Sequence, residues 1–183
     1  WISPVPLRKA ISLKRAIDDV ASDSFQQALK LALIAEVVSN ASNVKFGPEL
    51  YVSARKDDAD LLESFCDRVT RFALDLLSTP KPRASARALM GDARTKKSIT
   101  RAAARRKFDF VATSPPYPAE HDYTRNARLE LAFLEAVRDK ASLQSLKKGM
   151  VRSHTKGIYS TDNDRDLVAR MPSIRLLMRD IDD

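Results

Sequence analysis

A hydroxyl, two imino acids and a phenol follow one another at Ser114-Pro115-Pro116-Tyr117, directly after the largely apolar run Phe108-Asp109-Phe110-Val111-Ala112-Thr113. Proline has no N–H, so a turn built on Pro115 and Pro116 is stiff and offers carbonyl oxygens without competing donors. With the Ser114 hydroxyl beside them, these carbonyls form a fixed cluster of acceptors. Such a cluster suits an amino group. Tyr117 adds a flat face on which a nucleobase can stack, an interaction of ~1–3 kcal/mol in single-strand binding platforms.

Something must hold this stretch in place. Arg87–Ala93 reads as a short strand ending at Gly91-Asp92, Thr95–Arg106 as a basic helix, and Phe108–Thr113 as a second strand. Strand, helix and strand in that order predict a right-handed βαβ unit with parallel strands, which places Ser114–Tyr117 past a carboxyl strand end, where open α/β sheets build ligand sites. Two parallel strands are too few for a stable sheet, so the remaining strands are expected outside this chain.

Upstream the pattern is helical. Leu7–Val20 is amphipathic, and Phe25, Ala28, Leu29, Ala32, Leu33 and Val37 repeat a helical spacing after an Asp23/Ser24 cap. Ser42–Val52 carries the breaker Gly47-Pro48 and predicts a loop with a short extended tail. Asp57–Leu77 predicts a third helix with Leu62, Phe65, Val69, Phe72 and Leu76 on one face, and Cys66 is expected to pack in the core. The proline-bearing linker Ser78–Ser85 then separates a helical segment, residues 1–80, from an α/β part, residues 81–183. Within the latter, Asp122–Val137 and Asp164–Ile181 predict further helices, the second interrupted or begun near Pro172.

Charge follows the same division. Of a net +8, residues 81–183 contribute 22 Lys/Arg against 13 Asp/Glu, while residues 1–80 carry 10 against 11. Between Lys81 and Lys107 there are ten basic residues and one acid, Asp92. A field of that sign attracts phosphate backbones. One cysteine excludes an internal disulfide framework and a multi-cysteine zinc site, which points to a reducing cytosol. No apolar run reaches the ~20 residues of a membrane span, and the first residues lack a signal-peptide core. A start at Trp1 suggests a piece of a longer protein or a processed start.

Thr113–Tyr117, with the preceding Phe108–Val111 and the upstream Gly91-Asp92-Ala93-Arg94, resembles the catalytic motif and neighbouring strand of the DNA amino-methyltransferases. His121–Leu134 and Arg152–Tyr159 resemble segments that follow the catalytic loop in a subset of such enzymes, and WISPVPLRKA with SNVKFGPELYV resembles their helical insert. The resemblance implies a partial Rossmann-like methyltransferase fold, S-adenosylmethionine as methyl donor, and the exocyclic amino group of cytosine (N4) or adenine (N6) in DNA as acceptor. The Ser-Pro-Pro-Tyr form is more typical of the cytosine group. It implies further that a flipped base stacks on Tyr117 and donates to Ser114 and the Pro115 carbonyl, with Pro116 stiffening the loop. Asp92 would lie near the cofactor's adenine, and Arg125, Arg128, Arg152, His154 and Lys156 are candidates for phosphate or base contacts.

The chain departs from this family at one point. Its four glycines, Gly47, Gly91, Gly149 and Gly157, are scattered, and none forms the Gly-rich turn that closes around the cofactor's methionine. The missing part is expected upstream of Trp1 or on a partner chain, and this part alone is expected to be inactive. Two other readings compete: a non-catalytic nucleic-acid-binding remnant, and a polyproline ligand built on Pro115-Pro116-Tyr117-Pro118. RNA in place of DNA is a variant of the first reading.

Overall fold

The structure is a computed structural model that describes residues 1–20, 22–47, 50–80, 86–103, 107–114, 117, 122–151, 159, 162–172 and 174–175. The chain divides into two compact units, one formed by Trp1–Lys81 with Tyr123–Leu143, the other by Pro82–Asp122 with Gln144–Asp183.

The first unit is built on three helices, α1 (Pro4–Asp18), α2 (Asp23–Glu36) and α3 (Leu61–Ser78). Prolines in the first turn of α1 cost no helical hydrogen bond, because N–H groups there have no partner within the helix. The cap of α2 differs from the expected one: Ser22 occupies the N-cap position, and Asp23 lies in the first turn, where its charge complements the helix dipole. Ala10 and Ile17 of α1, Ala32, Leu33 and Ile34 of α2, and Leu61 and Phe65 of α3 form one buried core. Beside it the Arg68 Nε donates to the buried carboxylate of Glu36 at 2.5 Å, which ties α3 to α2.

α2 runs without a break into a π-helical turn, Val37–Ala41, whose first and last residues are both fully buried. The chain then enters the antiparallel pair β1 (Val44–Phe46) and β2 (Leu50–Val52), where a loop with an extended tail was expected. Asn43 lies buried between the two segments, and its polar groups reach four residues in three parts of the unit. Its N–H donates to the Trp1 carbonyl at 2.7 Å, and its carbonyl accepts from the Ser53 N–H at 2.7 Å. Its side-chain amide donates to Ser3 Oγ at 3.1 Å and accepts from the Lys56 N–H at 2.9 Å.

The core face of α3 is rotated from the expected one. Leu61 and Phe65 point inward, while Leu62, Phe72 and Leu76 are exposed and so is Cys66. Leu62 and Cys66 each sit about 100° around the helix from the buried residue before them, enough to leave the core. The helix expected over Asp122–Val137 breaks at Ala127 into α5 (Tyr123–Asn126) and α6 (Arg128–Phe133). It stops before Glu135, which has a positive φ of 60° and pairs with Lys14. α7 (Lys140–Gly149) was not expected; Asp139 and Ser142 cap its start reciprocally, the Asp139 carboxylate accepting from the Ser142 N–H at 2.7 Å and the Ser142 hydroxyl from the Asp139 N–H at 3.0 Å.

The second unit overturns the expected fold class. α4 (Lys96–Ala103) forms within the basic stretch, but Arg87–Ala93 and Phe108–Thr113 are not strands. Among the described residues the β1–β2 pair is the only sheet and it is antiparallel, so no parallel strands and no Rossmann-like layer are formed. A strand completes its backbone bonds only through neighbours, and a parallel one also needs cover on both faces. Among the described residues neither exists for Phe108–Thr113, where Phe110 is 82% and Val111 71% exposed. α8 (Asp164–Ala169) ends before Pro172, and the expected continuation over 176–181 lies outside the described residues.

Leu61→Ala is expected to destabilise the protein by ~2–5 kcal/mol, as for other fully buried leucines, whereas Leu77→Ala on the open end of α3 should stay within ~0.5 kcal/mol. Urea denaturation followed by helical circular dichroism measures both. In the same assay Asn43→Ala should cost at least ~1–3 kcal/mol, because the Lys56 N–H and Ser3 hydroxyl lose their partner.

Candidate functional site

Ser114 closes the irregular segment 107–114 and is exposed, and Tyr117 is 72% exposed. Pro115 and Pro116 lie outside the described residues, as do Arg152, His154 and Lys156. The expectation that Ser114–Tyr117 sits at the carboxyl end of a parallel strand falls with the strand. What stands is a hydroxyl and a ring presented on an apolar stretch in the more basic half of the chain.

Asp92 is placed in detail. It opens a tight turn into α4, in which its side-chain Oδ1 accepts from the Arg94 N–H at 2.9 Å and its carbonyl accepts from the Thr95 N–H at 3.1 Å. The Ser98 hydroxyl accepts from the Asp92 N–H at 3.1 Å. That hydroxyl comes close only because Gly91 has no side chain; a Cβ there would lie 3.0 Å from both Cβ and Oγ of Ser98.

The Arg94 guanidinium folds back onto the same carboxylate, Nε donating to Oδ1 at 2.9 Å and Nη2 to Oδ2 at 2.8 Å. Its Nη1 donates to Asp164 at 2.6 Å and Nη2 also reaches the Gly149 carbonyl at 3.1 Å, so one arginine joins the α4 turn, α8 and the end of α7. These bonds hold the Asp92 carboxyl below the usual carboxylate range, and the two carboxylates hold Arg94 firmly charged. With the backbone bond from Arg94 and a second Nε contact at 3.2 Å, the acceptor sites of Asp92 are filled. Asp92 could therefore hold a cofactor only by displacing the guanidinium. The described residues do not fit an S-adenosylmethionine site by themselves.

Arg125 and Arg128 belong to the other unit, on α5 and α6. Arg125 is exposed, whereas the Arg128 Nε and the Glu130 Oε2 are shut off from solvent and have no hydrogen-bond partner among the described residues. The same unit holds a cavity of about 470 Å³, walled by Leu7, Ile11, Leu129 and Phe133 and rimmed by Lys14 and Glu135, and none of the site residues expected from sequence lines it. Arg94 was missed as a clamp, although the Asp-x-Arg spacing at a helix start was a readable sign of it.

Compared with protein-family models, with curated proteins and with solved structures, the chain finds no match.

The Asp92 carboxyl should titrate below the ordinary value of 3.8, and in Arg94→Gln it should move up toward that value, as read by carboxyl carbon NMR. A depressed folded pKa means that the stabilisation is present above the ordinary value and is lost as pH falls through the depressed one. Acid should therefore loosen the α4 turn in the wild type, and in Arg94→Gln this acid-sensitive step should be largely gone.

Proposed function

We propose that this chain is the base-binding part of a DNA amino-methyltransferase that methylates the exocyclic amino group of cytosine (N4) or adenine (N6) and acts as part of a larger or split enzyme. The observation that carries this reading is the Ser-Pro-Pro-Tyr sequence with its Ser114 hydroxyl and Tyr117 ring both exposed. The target base stacks on Tyr117 after leaving the duplex, and its amino group donates to Ser114 and to the Pro115 carbonyl. Those two bonds fix the direction of the nitrogen lone pair and favour the positive charge that develops on nitrogen during transfer. No covalent enzyme intermediate is required. S-adenosylmethionine is the methyl donor, and its binding falls to a part of the enzyme other than the residues described for this chain.

A second reading rests on the captured state of Asp92 and the lack of a Gly-rich turn: a nucleic-acid-binding remnant that has lost cofactor binding. Retained DNA affinity with a steep salt dependence, and no thermal shift with S-adenosylmethionine, would favour it. No described helix is long and apolar enough to cross a membrane. A reducing cytosol remains the proposed compartment.

Transfer of tritiated methyl from S-adenosylmethionine to unmethylated duplex DNA, assayed on the enzyme that contains this chain, tests the first reading. Ser114→Ala should lower the rate by about 10²–10³-fold, the usual loss for one preorganised hydrogen-bond partner at a developing charge. Absence of label in DNA, or label indifferent to Ser114→Ala, overturns it.

A further inference from the structure

Among the described residues of the second unit up to Tyr159, the cations fall into two groups. Arg94 is neutralised by Asp92 and Asp164, Lys147 donates to Asp122 at 2.5 Å, and Lys148 lies over the Tyr159 ring at 5.8 Å from its centre. Those three have interactions within the unit. Arg87, Lys97, Arg101 and Lys107 are exposed and pair with no carboxylate among the described residues. Asp92, the one acid between Lys81 and Lys107, is already taken by Arg94, so nothing in that stretch offsets them.

Lys97 and Arg101 stand four residues apart on α4 and therefore on one helix face. Like charges at that spacing destabilise a helix, and α4 has only eight residues over which to absorb the cost. A local rule broken without an internal compensation is expected where an external ligand supplies it. The compensation has to be anionic and repeated, since two adjacent cations on one face match successive charges of a chain better than a single small anion.

We infer that the Lys97–Arg101 face of α4 is a phosphate-backbone contact for duplex DNA. It extends the proposed function, on which the identity of the polymer rests, by naming the cations that hold the strand while Ser114 and Tyr117 engage the base. The contact is independent of sequence. It sets affinity and register and leaves base choice to other groups.

The test is fluorescence anisotropy of the full chain with short duplex DNA of arbitrary sequence over a range of salt. Lys97→Gln/Arg101→Gln should flatten the slope of log affinity against log salt by about 1.8, from about 0.9 per phosphate contact, with helical circular dichroism unchanged. Lys97→Arg/Arg101→Lys should restore the wild-type slope. Ser114→Ala should leave the slope untouched whether or not it abolishes methyl transfer, so failure of the catalytic reading and failure of this one are distinguishable. An unaltered slope in the double glutamine variant overturns the inference, and so does binding to phosphatidylserine vesicles without binding to duplex DNA.

Discussion

The first unit depends on how one buried amide is satisfied. Asn43 sits where the N-terminal residues, the β1–β2 pair and the approach to α3 converge, and it bonds to Trp1, Ser3, Ser53 and Lys56. A buried polar group is costly when unpaired and specifying when paired, because only one arrangement of its neighbours completes the set. Apolar packing among α1, α2 and α3 would allow some sliding. The Asn43 bonds, together with the Glu36–Arg68 pair, fix the register in which that packing occurs.

The helices of this unit were legible because a helix carries its own hydrogen bonds and leaves its period in the sequence. Leu7–Val20, Phe25–Val37 and Asp57–Leu77 each overlap most of the helix found there and differ from it by one to four residues at the ends. Which side of α3 turns inward was less legible, since Leu61/Phe65 and Leu62/Cys66 are equally apolar stripes and only contact with Leu33 and Val37 in the shared core distinguishes them. Strands pose a different difficulty. The run Phe108–Thr113 has a strand's composition, but composition states only that a segment would accept partners. The short pair β1–β2, by contrast, was hidden by Gly47-Pro48, which reads as a loop breaker, and by strands of only three residues each.

At the candidate site the sequence offered residue types and not geometry. Ser114 and Tyr117 are proposed on residue type, and both are exposed. The Asp92–Arg94 pairing is signalled by the two-residue spacing, yet the sequence does not show that the same guanidinium also holds Asp164 and the Gly149 carbonyl, which arrive from far along the chain. The charge imbalance of the basic half was visible as a total. Which cations remain available is a property of the fold, since it is set by which carboxylates reach them.

The π turn at Val37–Ala41 has a consequence for chain length. A π turn holds one more residue than the α turn it replaces while making about the same rotation. Remove one residue from this turn and the helix can close as an ordinary α turn, with Ser42 and Asn43 leaving it in nearly the same direction. The extra residue is thus carried at the one place in the helix where its loss changes little downstream. A single-residue deletion at Val38 or Ser39 should disturb the unit less than one inside α2, where every later side chain would turn by about 100°.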